Sequence, residues 1–181
     1  MKSTLILGAL ALGLASTSAL ANPMVGGAPM SAEKNIIQNA VNSNDHTTLV
    51  AAVKAAGLVD TLEGPGPFTV FAPTNEAFDA LPAGTVDNLL KPENKDQLVK
   101  ILTYHVVPGR LTYRKLKDQI DAGGGQATLK TVQGEDLTVK RQGHSHLTIT
   151  DAKGDMAVIT IANVLQSNGV IHVINKVLIP G

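Results

Sequence analysis

FTVFAPTNEAFDALP, Phe68 to Pro82, is the stretch that decides how this chain folds. Phe68 to Ala72 is a short, nearly all-apolar run, the pattern of a strand buried on both faces. Pro73 ends it, since proline has no amide hydrogen to extend a ladder. Thr74 or Asn75 then caps a short helix carrying Ala77, Phe78 and Leu81. Far downstream, NGVIHVINKVLIP (Asn168 to Pro180) again joins an apolar run to a turn. Strand alternation puts Val170, His172 and Ile174 on one face and Ile171, Val173 and Val177 on the other. His172 therefore lies among side chains expected in the core, where a histidine needs a hydrogen-bond partner. Phe68, Phe71, Phe78 and Leu81 read as core by the same logic.

Working outward, the first half of the chain reads as helices. Ser31 is expected to cap a helix running to Val41, with Glu33 in its first turn. Asp45 is expected to cap a second over His46 to Ala56, stopped by Gly57 in the left-handed position. A further turn over Leu58 to Leu62 precedes the Gly64-Pro65-Gly66-Pro67 break, and another follows Gly84-Thr85. Pro92 suits the start of a helix reaching about Thr103, in which Leu98, Ile101, Leu102 and His105 fall on one face. After Pro108-Gly109 comes a short basic helix around Thr112 to Gln119. Strand signals follow at Ala127–Val132, Leu137–Arg141, His146–Thr150, Met156–Ile161 and Val170–Ile179. Helices first and a meander second indicate an α+β domain with helices packed on a mostly antiparallel sheet or wedge.

Residues 1–21 read differently. Met1-Lys2, the apolar run Leu5 to Leu14 and Ala19-Leu20-Ala21 form the three parts of a secretory signal peptide. Its apolar stretch is too short to span a bilayer. Residues 22–30, rich in proline and glycine, read as a flexible leader, and 31–181 as a single domain. The chain has no cysteine, so a disulfide framework is excluded and packing must supply stability. No membrane span or lipid anchor is expected, and the protein is placed outside the cell or in a periplasm. Lys plus Arg and Asp plus Glu are 15 each, a balance that gives no steering toward nucleic acid. Aromatic residues are 3% of the chain and tryptophan is absent, which argues against stacking platforms for bases.

Phe71-Ala72-Pro73-Thr74-Asn75-Glu76-Ala77-Phe78, Tyr104-His105 and Asn168-Gly169-Val170-Ile171-His172-Val173-Ile174, in this order, resemble the conserved blocks of the fasciclin-type (FAS1) adhesion module. The resemblance covers about Ser31 to Pro180. It implies an α+β β-wedge or sandwich of about seven mostly antiparallel strands flanked by several short helices. It also implies a secreted or surface protein that works by binding in adhesion, symbiosis or host contact. In animal members a Tyr-His pair with aliphatic flanks is associated with receptor binding, and Tyr104-His105 matches it. An Asp-Ile pair of those members is linked to integrin binding. Here Asn163-Val164 stands at that place, without the carboxylate that a metal-mediated contact needs.

Two further candidates come from the residues alone. Arg110, Arg114, Lys115 and Lys117 form a basic cluster suited to an acidic polysaccharide or a lipid headgroup. His144 and His146 alternate as on one strand face, the arrangement of a metal or small-ligand pair with Asp151 or His46 as third ligand. Catalytic signatures are missing: no serine sits in a Gly-x-Ser-x-Gly elbow, and there is no His-Glu-x-x-His and no phosphate loop. The expectation is a non-enzymatic protein with no cofactor and no bound metal. Its partner would be a surface or matrix protein or a polysaccharide. The periplasmic metal or small-ligand carrier using His144 and His146 is the alternative. It is expected as a monomer, with pairing between copies through exposed strand edges as the other outcome.

Overall fold

A computed structural model describes residues 22–181. The expected signal peptide, 1–21, lies outside the described residues. The chain begins with a two-stranded hairpin, β1 (Met24–Val25) and β2 (Ala28–Pro29). Five short helices and the first long strand follow: α1 (Ile36–Ala40), α2 (Thr47–Ala56), α3 (Val59–Glu63), β3 (Phe68–Pro73), α4 (Asn75–Asp79) and α5 (Thr85–Leu89). The second half holds α6 (Lys95–Tyr104), β4 (Val106–Pro108), α7 (Tyr113–Ala122), β5 (Gln126–Lys130), β6 (Asp136–Gln142), β7 (His146–Thr150), β8 (Met156–Gln166) and β9 (Gly169–Ile174). Seven strands form one sheet in the order β4-β3-β9-β8-β7-β6-β5. Only the β3–β9 pair is parallel; the other neighbours run antiparallel. The sheet curls until its ends meet, where the Val132 amide donates to the Val106 carbonyl at 2.8 Å.

The two sequence blocks thus become adjacent strands, Phe68 opposite Gly169 through Pro73 opposite Ile174. Their alternation feeds two cores. Val70 and Ala72 of β3 join Ile171 and Val173 of β9 beneath α1, α2, α3 and α6. Phe71 and Ile174 face the interior of the curl, with Leu137, Val139, Leu147 and Ile149 of the meander and Leu116 and Ile120 of α7. Burial on both faces explains why these strands read as continuous apolar runs.

Several expected boundaries shift, each for a local reason. Residues 22–30 are not a loose leader. The β1–β2 hairpin buries Val25, and Met30 beyond it, against the helices. Two apolar side chains with a place in the core outweigh the local Pro/Gly composition. Asn35, not Ser31, caps α1: its side chain accepts from the Gln38 amide, and the Gln38 side chain accepts from the Asn35 amide. Ser31 instead bonds through its backbone to the buried Asn39. A 3-10 turn at Asn44–His46 takes the place of an Asp45 cap. Gly57 does close α2 in the left-handed region, at φ 71°. Strand β8 extends five residues past Ile161 after a bulge, and β9 stops at Ile174. Beyond it the chain is held by side chains, as Asp151 Oδ2 accepts from the Ile179 amide and Glu135 Oε2 from the Gly181 amide.

Asn168 ties the pair of blocks to the helical layer. Its Oδ1 accepts from the Ile36 amide at 3.1 Å, and its Nδ2 donates to the carbonyls of Leu62 and Gly64 at 2.7 and 3.0 Å. Its carbonyl accepts from the Phe68 amide at 3.0 Å. The next residue must be glycine, because a Cβ at position 169 would collide with the Phe68 carbonyl oxygen. Replacing Asn168 with alanine strands an amide and two carbonyls, and should lower the unfolding free energy by about 2 kcal/mol. Urea denaturation measures this; a loss near zero would show that the three bonds contribute little.

Candidate interaction surface

Tyr104 and His105 do not form an exposed pair. Helix α6 carries Leu98, Ile101 and Leu102 inward, and the same stripe takes His105 into the core at its C-terminus. The Tyr104 ring fills the interior of the curl. Its hydroxyl donates to the Asp136 carbonyl and accepts from the Ala152 amide at 2.9 Å. His105 Nδ1 donates to the Ile101 carbonyl at 2.8 Å, and Nε2 accepts from the Leu178 amide at 2.9 Å. Nδ1 thus anchors the ring to α6 itself, and Nε2 joins the helix to the C-terminal segment. Binding by these two residues is corrected to a structural role, because neither reaches the surface.

Val164 is buried as well, facing Ile171 across β8 and β9. Asn163 is exposed and sits at φ 59° in the bulge, a conformation that asparagine tolerates better than most residues. Its Oδ1 accepts from the Tyr113 amide at 2.7 Å, so it holds the first turn of α7. The Asn163 amide donates to His172 Nδ1 at 3.4 Å, while His172 Nε2 donates to the Leu111 carbonyl at 2.7 Å. The imidazole also stacks on Phe71, with ring centroids 5.7 Å apart. This is the satisfied core histidine expected from strand alternation. The bulge itself was not legible: its only trace is an asparagine inside an apolar run.

The basic residues separate into two sets. Arg110 precedes the helix and is half-buried, its Nη2 donating to the carbonyls of Gln166 and Ser167 at 3.1 and 3.3 Å. Thr112 caps α7, so Arg110 is not on the helix face shared by Arg114. Leu116 and Ile120 are the buried side of α7. Tyr113, Lys117 and Asp121, spaced four apart, share one flank with Arg114 beside it, and Lys115 points to the other flank. That first flank lies along the β6–β7 hairpin. The Tyr113 hydroxyl donates to the Ser145 carbonyl at 3.0 Å, and Arg141 Nη2 meets Asp121 Oδ1 at 2.7 Å. Arg114 and Lys115 are exposed and Lys117 is half-buried. Among the described residues none of the three is in an ion pair.

His144 and His146 both lie exposed on this same hairpin. His144 is in the turn rather than on a strand, so the alternation expected for a ligand pair does not apply. The proposed third ligands are elsewhere. Asp151 spends both oxygens on the amides of Lys153, Asp155 and Ile179, and His46 is buried in the helical layer. Among the described residues no group of three His, Cys, Asp or Glu side chains is arranged to hold a metal ion. What the fold does bring together is the Tyr113 end of α7 and the turn that bears His144, through the Tyr113–Ser145 bond.

The Fasciclin domain family model matches residues 44–180. The chain belongs to the fasciclin-domain family. It is 51% identical over 145 residues to protein sll1483 of Synechocystis, covering 80% of this chain and 73% of that protein. It is 40% identical over 140 residues to transforming growth factor-beta-induced protein ig-h3 of Sus scrofa, covering 76% of this chain but only 18% of that protein. Immunogenic protein MPB70 of Mycobacterium bovis is 38% identical over 146 residues, covering 78% of this chain and 66% of its own length. Among the described residues no helix of this fasciclin domain is long and apolar enough to cross a membrane.

Burial lowers the pKa of His105 to about 4, against weaker opposing effects of the Ile101 carbonyl and Asp151. Burial also lowers those of His172 and His46. Because the unfolded chain binds a proton near the ordinary histidine value of about 6.5, His105 stabilises the neutral-pH fold. That contribution is complete above about 6.5 and is lost as the pH falls toward 4, by about 3 kcal/mol at most. Thermal melts at pH 7 and pH 4.5 should show a clear drop for the wild type, and a smaller one for His105→Gln. Equal drops in both proteins would remove His105 from this account.

Proposed function

We propose that this fasciclin-domain protein is secreted and mediates non-covalent adhesion, holding an acidic polysaccharide of the surface or matrix on the α7 and β6–β7 surface. The observation that carries the reading is the Tyr113–Ser145 bond, which seats the start of α7, the helix bearing the exposed Arg114 and half-buried Lys117, on the hairpin turn that bears His144. The apolar residues and the histidine of the blocks that carry the resemblance, Phe71, Phe78 and His172 among them, are occupied in the core, which points to exposed residues elsewhere for binding. Cations on a helix flank beside imidazole donors offer several hydrogen bonds to carboxylate or sulfate groups along a chain. The rigid curl behind them keeps those donors in place, which limits the entropy lost on binding. The name of a relative that is 34% identical over 169 residues, cell surface glycolipoprotein MPB83 of Mycobacterium bovis, is consistent with a place at the cell surface.

The test is binding of the purified protein to immobilised polyuronate, with a neutral glucan as control. Saturable binding that weakens as salt rises is expected for the acidic polymer alone. Reversing the charge of both Arg114 and Lys117 to glutamate should weaken it about tenfold or more, a loss of about 1.4 kcal/mol. Circular dichroism should be unchanged. Equal affinity in the reversed variant, or capture of the neutral glucan equally well, would overturn the proposal. A protein partner that survives the reversal would do so too.

A further inference from the structure

Helices α2, α4 and α5 and the loop over residues 81–84 border an open groove of about 500 Å³. Small-molecule sites typically span about 300–1,000 Å³. Phe78, Leu81, Val86 and Leu90 give the groove an apolar floor; Phe78 is buried and the other three are half-buried. Among the described residues that line it, Asp79 and Asp87 are the ionisable ones. Both are exposed, and neither is in an ion pair. The lining takes no residue from α7 or from the β6–β7 hairpin.

The charge in this groove is of one sign and unpaired. Asp79 is the last residue of α4. The carbonyl end of a helix favours a cation, so a carboxylate placed there adds to negative potential already present. Asp87 lies in the first turn of α5, where the helix does stabilise a carboxylate. The start of α2 offers an anion little, because its Thr48 amide already donates to Asn75 Oδ1 at 3.1 Å. An anionic ligand would meet two like charges, and a neutral one would leave both carboxylates unanswered. A cation with an apolar body uses both parts of the lining. The carboxylates attract its ammonium group, and the floor buries its hydrocarbon.

We infer that this groove binds a small organic cation with an apolar body, an alkyl- or arylalkylammonium, through Asp79 and Asp87. It is separate from the α7 surface and does not depend on the polysaccharide reading. The floor supplies affinity through burial of apolar area, and the two carboxylates select the sign of the charge. Because both are exposed, that selection weakens as salt rises.

Phenethylammonium, 2-phenylethanol, phenylacetate and methylammonium serve as probes of the purified protein at low salt, followed by methyl NMR. Phenethylammonium should shift the methyl resonances of Leu81, Val86 and Leu90 saturably. The neutral alcohol should bind about fivefold more weakly, a difference within reach of two exposed ion pairs, and phenylacetate more weakly still. Methylammonium, which lacks the apolar body, should leave these resonances unmoved. Asp79→Asn combined with Asp87→Asn alters two exposed side chains, so circular dichroism should be unchanged. That variant should bind phenethylammonium no better than the alcohol. Reversing the charge of Arg114 and Lys117 should leave phenethylammonium binding as it is, which keeps this result apart from the test of the α7 surface. No saturable shift, an equal effect of the alcohol, phenylacetate or methylammonium, or undiminished affinity in the double asparagine variant would each overturn the inference.

Discussion

The parallel pairing of Phe68–Pro73 with Gly169–Ile174 is the constraint on which the rest of this structure depends. It places two strands at the seam between two cores, each strand sending alternate side chains to both. Parallel strands buried on both faces are unusual in a sheet that is otherwise an antiparallel meander. Here the helices that precede and follow β3 cover one face, and the curl of the sheet covers the other. Asn168 and Gly169 set the register: one supplies bonds to three segments, and the other lets the strands approach. The Phe71–His172 stack is the same pairing seen from inside the curl.

That arrangement explains which parts of the fold could be read from the chain. Continuous apolar runs and glycine or proline stops are local signals, so β3, β7, the Gly57 cap and the Thr74 cap were legible. His172 as a satisfied core residue followed from alternation alone. The hairpin at Met24–Pro29 was not legible, because its stability comes from where Val25 and Met30 land and not from its own composition. The same holds for the end of β9. Val177 and Leu178 are apolar enough to continue a strand, but the Leu178 amide is taken by His105 and the Ile179 amide by Asp151.

The candidate residues divide along a similar line. Tyr104 and His105 match the family pattern while Val164 departs from it, and each is spent on packing and hydrogen bonding inside the domain. Asn163 reaches solvent but holds α7. Arg114 and Lys117 carry no family signal, and only tertiary structure seats the start of their helix on the turn that bears His144. Sequence spacing shows helical neighbours one turn apart; it does not show that a hairpin from another part of the chain runs along their flank. The residues most useful for recognising the domain are therefore poor guides to where it meets a partner.

One consequence of the β3–β9 pair concerns how the domain is made. Its two strands come from distant parts of the chain, so the seam closes only after nearly everything between them has been synthesised. Contacts of such long range slow folding, because a large loop must be ordered before they form. Until β9 arrives, β3 exposes both of its apolar faces, and the helical layer and the curl lack their common wall. A nascent or threaded chain would then remain extended and open to handling by other proteins until its final strand emerged. Closure of the seam would come late and would consolidate both cores together.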